Sequence, residues 1–168
     1  MGTYLIYTCG YPFSGKSTLA RAIATATVFA LVEVDAHMTS NDRWLDAYIA
    51  AYAEVKKVLS SGRSVVLDSV AHTHKNRHRL HRIATECDAH PVCVWLDIPA
   101  TEANRRRLVN QTNPTRAHVP EQSFEQIVAE FQPPDHVGTV LRYQATDPAI
   151  TWVASNLLPV ITREVVAR

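Results

Sequence analysis

Gly10-Tyr11-Pro12-Phe13-Ser14-Gly15-Lys16-Ser17 decides how this chain is read. The eight residues fit the pattern G-x-x-x-x-G-K-[ST] without a gap. Just upstream, Tyr4 to Cys9 is a short apolar run of the kind that forms a buried strand. Downstream, Lys16 to Ala26 has the composition of a helix. Strand, glycine-punctuated turn and helix in that order make a cradle for phosphate. The glycines let backbone N–H groups turn inward, and the following helix adds its positive N-terminus. On this reading Gly10, Tyr11, Pro12, Phe13, Ser14, Gly15, Lys16, Ser17 and Thr18 surround the phosphates of a nucleotide. Lys16 reaches the β- and γ-phosphates, and the Ser17 hydroxyl is a ligand for Mg²⁺. A chance glycine-rich turn would not account for the flanking strand and helix.

Outward from the loop, apolar runs alternate with helical stretches. Strands are expected at Val28 to Val34, Ser64 to Asp68, Pro91 to Leu96 and Thr139 to Tyr143. A long helix is expected from Asp42 to Ser60, with Leu45, Tyr48, Ile49, Tyr52, Val55 and Leu59 at helical spacing and Ser61-Gly62 ending it. Further helices read at Lys75 to Cys87, Thr101 to Val109, Ser123 to Phe131 and Pro148 to about Leu158. Such alternation implies an α/β fold, a parallel sheet with helices on both faces. The polar, proline-punctuated stretch Asn110 to Pro120, flanked by short helices, has the look of a lid rather than a domain linker.

The chain has 168 residues, 46% of them apolar, which suits one α/β domain over 1–168 with a lid region at about 101–134. Lys and Arg total 17 against 16 Asp and Glu, a formal charge of +1. No overall field draws it to nucleic acid or a membrane surface, and no apolar run approaches a membrane span. Three cysteines, Cys9, Cys87 and Cys93, read as reduced thiols and suggest a cytoplasmic protein.

Two carboxylates close apolar runs. Asp35 follows Leu31-Val32-Glu33-Val34, and Asp68 follows Ser64-Val65-Val66-Leu67. Ligands of open α/β sheets bind outside the carboxyl ends of the strands. Asp35 is therefore a candidate base for an attacking hydroxyl, with a turn or helix-cap carboxylate as the bland alternative. Asp68 has the form of a strand-end residue that supports Mg²⁺, directly or through water. Arg105-Arg106-Arg107 open the lid. Neighbours on a helix lie 100° apart, so the three cannot all face one site; Arg106 and Arg107 are the candidates to clamp phosphoryl charge. Trp44, Tyr48 and Tyr52 recur every four residues and read either as core or, for Trp44 and Tyr48, as walls of an acceptor pocket. His74, His78 and His81 share a helix face with Arg77, Arg79 and Arg82 nearby, and read as a basic, solvated or acceptor-binding surface rather than a metal site.

In order, these motifs resemble the P-loop kinases related to the kinase domain of polynucleotide 5′-kinase. Zeta toxins and chloramphenicol phosphotransferase are more distant relatives. The resemblance spans about residues 4–135 and rests on Gly10 to Ser17, Asp35, Ser64 to Asp68, the Arg-rich stretch that follows, Thr101-Glu102-Ala103-Asn104-Arg105-Arg106-Arg107 and Phe131-Gln132-Pro133-Pro134. It implies that Asp35 is a general base. It also places Met38 where the group carries an arginine for the acceptor's phosphate, and Ser69-Val70 where the group has Thr-Asn. Asn110 falls at the second lid arginine, a task that would pass to Arg105, Arg106, Arg107 or Arg116. Phe13 stands where many relatives carry glycine, so that position should adopt a conformation a bulky residue tolerates.

The expected fold is a three-layer P-loop NTPase with five parallel strands ordered 2-3-1-4-5. The expected activity is Mg²⁺-dependent transfer of the γ-phosphoryl group of ATP to an alcohol. Met38, Trp44, Tyr48 and Arg77 are the candidate acceptor-binding residues. A small molecule, nucleoside-like or an antibiotic, leads as acceptor; a nucleic-acid 5′ end is the alternative. A nucleotide-dependent switch with slow hydrolysis is the rival from another class. Lys16→Ala should abolish most nucleotide binding while leaving the melting temperature near wild type, as read by titration with a fluorescent ATP analogue and by thermal denaturation; wild-type affinity would contradict the loop assignment.

Overall fold

Five short apolar segments, each too short for a stable isolated helix, pair side by side in a computed structural model that describes residues 2–39, 43–115, 118–134, 138–144 and 148–163. The strands are β1 (Thr3–Cys9), β2 (Ala30–Glu33), β3 (Val65–Asp68), β4 (Ala89–Leu96) and β5 (Thr139–Tyr143). All neighbours run parallel, in the order β2-β3-β1-β4-β5. The helices are α1 (Lys16–Thr27), α2 (Trp44–Ser60), α3 (His74–Glu86), α4 (Ala100–Thr112), α5 (Glu121–Glu130), α6 (Ala149–Trp152) and α7 (Leu158–Arg163), with a π-helical stretch, Val153–Leu157, joining the last two.

β1 is central, and its side chains alternate between two cores. Leu5, Tyr7 and Cys9 point into a cluster with Ala47, Ala51 and Val55 of α2 and Leu80 and Ala84 of α3. Tyr4 and Ile6 point the other way, among Leu19 and Ile23 of α1, Trp152 and Leu157. Leu5, Ile6 and Tyr7 have no exposed surface; each such side chain contributes roughly 1.5–3 kcal/mol by leaving water.

Several boundaries differ from the sequence reading. Val28 does not begin a strand: it ends α1 in the left-handed region (φ 59°) with its side chain 89% exposed. Thus β2 starts at Ala30, where pairing with Val65 begins. The strand ends at Glu33, paired with Asp68, and Val34–His37 forms a 3₁₀ turn that carries Asp35. α2 begins at Trp44; Asp42, the expected start, lies outside the described residues. β4 begins two residues before Pro91. Proline is tolerated there because β5 pairs only from Val92 onward, leaving that side of Pro91 without a partner strand to receive its missing N–H. Among the described residues no helix is long and apolar enough to cross a membrane.

Candidate active site

The phosphate loop is shaped by two constraints. Gly10 has φ 153°, and a Cβ there would sit 3.0 Å from Leu96 O and 3.1 Å from Ser14 Oγ, so only glycine fits. Gly15 has φ 102° and leads into α1. Gly10 N–H donates to Val70 O at 3.1 Å, and Ser14 N–H to Tyr11 O at 3.2 Å. Lys16 is nearly buried, and its Nζ donates to Tyr11 O at 2.6 Å, folded back along the loop it is expected to serve. Phe13 departs from expectation: it takes φ 65°, the conformation that favours glycine. For a non-glycine residue this costs about 1–2 kcal/mol, and its ring lines the adjoining cleft.

β1 and β3 are clasped beside the loop. Thr8 Oγ1 lies 3.0 Å from Ser69 O and 3.3 Å from Asp68 Oδ1, and its proton is shared between them. Ser69 N–H donates to Thr8 Oγ1 at 3.0 Å, and Ser69 Oγ to Thr8 O at 3.2 Å. This sets the direction of the Asp68 carboxylate at the strand end.

The loop, both strand ends and two helices enclose a cleft of about 340 Å³. Its floor carries Pro12, Phe13, Lys16 and Ser17, with Asp35 from the 3₁₀ turn and Asp68, Ser69 and Val70 from β3. Trp44 and Tyr48 of α2 and Ser123, Gln126, Ile127 and Glu130 of α5 complete its lining. The Tyr48 hydroxyl accepts the Val70 N–H at 3.4 Å, and burial raises its pKa far above the usual phenol value. Tyr52, one turn on, belongs to the core, so the aromatic series divides between core and cleft. The helix itself is expected at Ser123 to Phe131, but its cleft face carries no signal in the sequence: its four cleft residues sit at i, i+3, i+4 and i+7, a spacing readable in advance only if the partner face were known.

Other expectations separate. Arg106 holds Glu102 Oε1 through Nε at 2.7 Å and reaches Ser14 O through Nη1 at 3.5 Å, so it touches the phosphate loop. Arg105 pairs with Glu102 and is exposed. The two arginines hold the Glu102 carboxyl down at about 2, the Arg105 bond contributing most. Arg107 is turned away into the lid. It bonds Asn104 Oδ1 at 2.9 Å and Glu121 Oε1 at 3.2 Å and covers the Phe124 ring at 5.5 Å, bracing α4 against α5. Asn110 is a buried residue whose Oδ1 accepts the Thr115 N–H just beyond α4; Arg116 lies outside the described residues.

Arg77 and Met38 are also corrected. Neither lines the cleft. Arg77 is 1% exposed and donates to Ala71 O at 2.8 Å and Pro133 O at 3.3 Å, with His74 Nδ1 at 3.0 Å. It pins the β3–α3 loop to the end of the lid. Gln132 N–H, donating to His72 O at 2.8 Å, and the Tyr11–Phe131 ring contact (4.6 Å) fasten the same junction. Met38 packs against the α2 core. The three histidines do not form one surface. His74 faces Arg77, His81 Nε2 meets the buried Tyr7 hydroxyl at 3.0 Å, and His78 is exposed.

Residues 5–134 match the AAA domain family, AAA_33. The chain belongs to that family. No curated protein matches the sequence. Among solved structures, this AAA-family chain superposes on a putative kinase from Chloroflexus aurantiacus with a TM-score of 0.73 and 20% identity, covering 94% of this chain and 97% of that one. Chaetomium thermophilum Kti12 in complex with ADP-AlF3 gives 0.70 and 22%, covering 92% and 97%. The APS kinase CysC of Mycobacterium tuberculosis, in complex with AMPPNP and APS, gives 0.66 and 13%, covering 95% and 98%. At these identities the likeness establishes the P-loop kinase-type fold with its 2-3-1-4-5 sheet, and no individual relative fixes an acceptor.

Removing the buried guanidinium should loosen the junction it ties. Arg77→Leu is expected to lower stability by roughly 3 kcal/mol, since hydrogen bonds from a charged group contribute about 1.5–3 kcal/mol each. Urea denaturation measures this; a loss under about 0.5 kcal/mol, the scale of an ordinary surface change, would assign the bracing elsewhere.

Proposed function

We propose that this protein transfers the γ-phosphoryl group of ATP to a hydroxyl of a small molecule. One observation carries the reading: a single cleft is lined by the phosphate-loop residues Lys16 and Ser17, by the carboxylates Asp35 and Asp68, and by the α2 aromatics Trp44 and Tyr48 together with the α5 residues Ser123, Gln126, Ile127 and Glu130. Slow hydrolysis in a switch would need no side-chain lining beyond the loop and the strand-end carboxylates. Similar folds that hold ADP-AlF3 and AMPPNP support a nucleotide at the loop.

Lys16 would leave Tyr11 O to reach the β- and γ-phosphates. Ser17 and Asp68 would hold Mg²⁺; a hydroxyl and a carboxylate are the hard oxygen donors this ion takes, and the Thr8 bond orients the carboxylate. The ion would supply charge neutralisation at the phosphates. Asp35 accepts the proton of the acceptor hydroxyl as its oxygen bonds to phosphorus and the bond to the leaving ADP oxygen breaks. Arg106, already at the loop carbonyl of Ser14, turns from Glu102 to the transferring group. Positioning and electrostatics supply the catalysis. A small acceptor is favoured over a polynucleotide end because Met38 stands at the phosphate-binding arginine position and no arginine lines the described cleft.

Asp35→Asn keeps the shape of the side chain and removes its basic oxygen. Phosphorylation should slow by about 10²-fold or more, the scale of losing a general base, with nucleotide-analogue affinity unchanged. Asp68→Asn should instead raise the Mg²⁺ concentration needed for half-maximal rate. Steady-state rates of ADP formation across an Mg²⁺ series measure both; a wild-type rate for Asp35→Asn would make Asp35 a turn residue only.

A further inference from the structure

We propose that Glu130 selects the acceptor, and that the acceptor is an alcohol bearing a positively charged amine; this rests on the kinase reading above. The ionised residues lining the described cleft are Lys16, Asp35, Asp68 and Glu130. The first three are occupied by phosphate, proton and metal. Glu130 has no part in that chemistry, yet it stands on the cleft face of α5 with Ser123, Gln126 and Ile127.

Its carboxylate is held in place. Gln126 Nε2 donates to Oε1 at 2.9 Å, and His72 Nε2 lies 3.5 Å from Oε2. Neither neighbour cancels its charge. The amide is neutral, and burial lowers the His72 pKa below its ordinary value, which favours the neutral imidazole. The Gln126 bond, then the His72 bond, keeps the Glu130 carboxyl below the usual range. The described lining contains no arginine and no second lysine to receive a carboxylate or phosphate on the acceptor. An anionic acceptor would meet the Glu130 carboxylate with no cationic side chain left to offset it in the described lining. An ammonium group instead gains the Glu130 carboxylate, and the exposed Trp44 ring, in the lining of the same cleft, is a second group that favours a cation.

The test uses a deproteinised cell extract separated by ion exchange into cationic, neutral and anionic pools before the reaction, each incubated with ATP labelled in the γ-phosphoryl group. Labelled phosphomonoester should form from the cationic pool. Glu130→Gln should need roughly tenfold more of that pool for half-maximal rate, the scale of one charge-assisted hydrogen bond, with little change at saturation; Glu130→Asp should recover most of the loss. Label entering only the neutral or anionic pool, or unchanged half-saturation in Glu130→Gln, would overturn the charge selection and leave the kinase reading standing. No labelled product from any pool would overturn both.

Discussion

The site depends on the clasp between β1 and β3. Thr8, Ser69 and Asp68 bond across the two strand ends, and Gly10 N–H donates to Val70 O where the phosphate loop departs. The clasp ties the start of the loop to the strand that delivers Asp68. Because β2 pairs with β3 up to Glu33–Asp68, it also fixes where the 3₁₀ turn with Asp35 begins. The phosphate loop, Asp68 and the turn that carries Asp35 thus share one frame. Buried polar groups bonded in this way hold position because each would cost about 1–3 kcal/mol if left without its partner.

The α4–α5 segment, where the sequence leads one to expect a lid, is built on a different principle. Its own small core, Ile98, Ala103 and Phe124, is separate from the two cores of the sheet, with Tyr11 of the phosphate loop packed against it. Arg107 ties α4 to α5 from inside, while Arg77, Gln132 and Phe131 fasten the lid's far end to the body. Arg106 of α4 pairs with Glu102 and reaches the Ser14 carbonyl of the phosphate loop. Phe13 stores backbone strain between the two parts, in the sparsely populated region where functional loops concentrate it.

The loop, the strands and most helices were legible because each rests on a local pattern: period-3.6 faces, short β-branched runs, and glycines where the backbone turns; the sheet order followed from the P-loop kinase resemblance and not from any local pattern. The failures have physical causes. Val28 is β-branched and reads as strand, but ends a helix at φ 59°. Arg77 looked like a surface cation, yet its partners are the backbone carbonyls of Ala71 and Pro133, which carry no sequence signature. Arg106 and Arg107 differ by one position, and only the packing of α4 on Phe124 decides which turns inward to the lid. The cleft face of α5 was invisible because Ser123, Gln126 and Glu130 look like any solvated helix surface until the opposite wall is known.

The most direct measurement of the central claim is ³¹P NMR of the protein with ATP, Mg²⁺ and an unfractionated small-molecule extract. If the γ-phosphoryl group is delivered to an alcohol, a phosphomonoester resonance grows in step with ADP while inorganic phosphate stays near background. Growth of inorganic phosphate in step with ADP, with no phosphomonoester, would contradict the account and make the protein a nucleotide-hydrolysing switch.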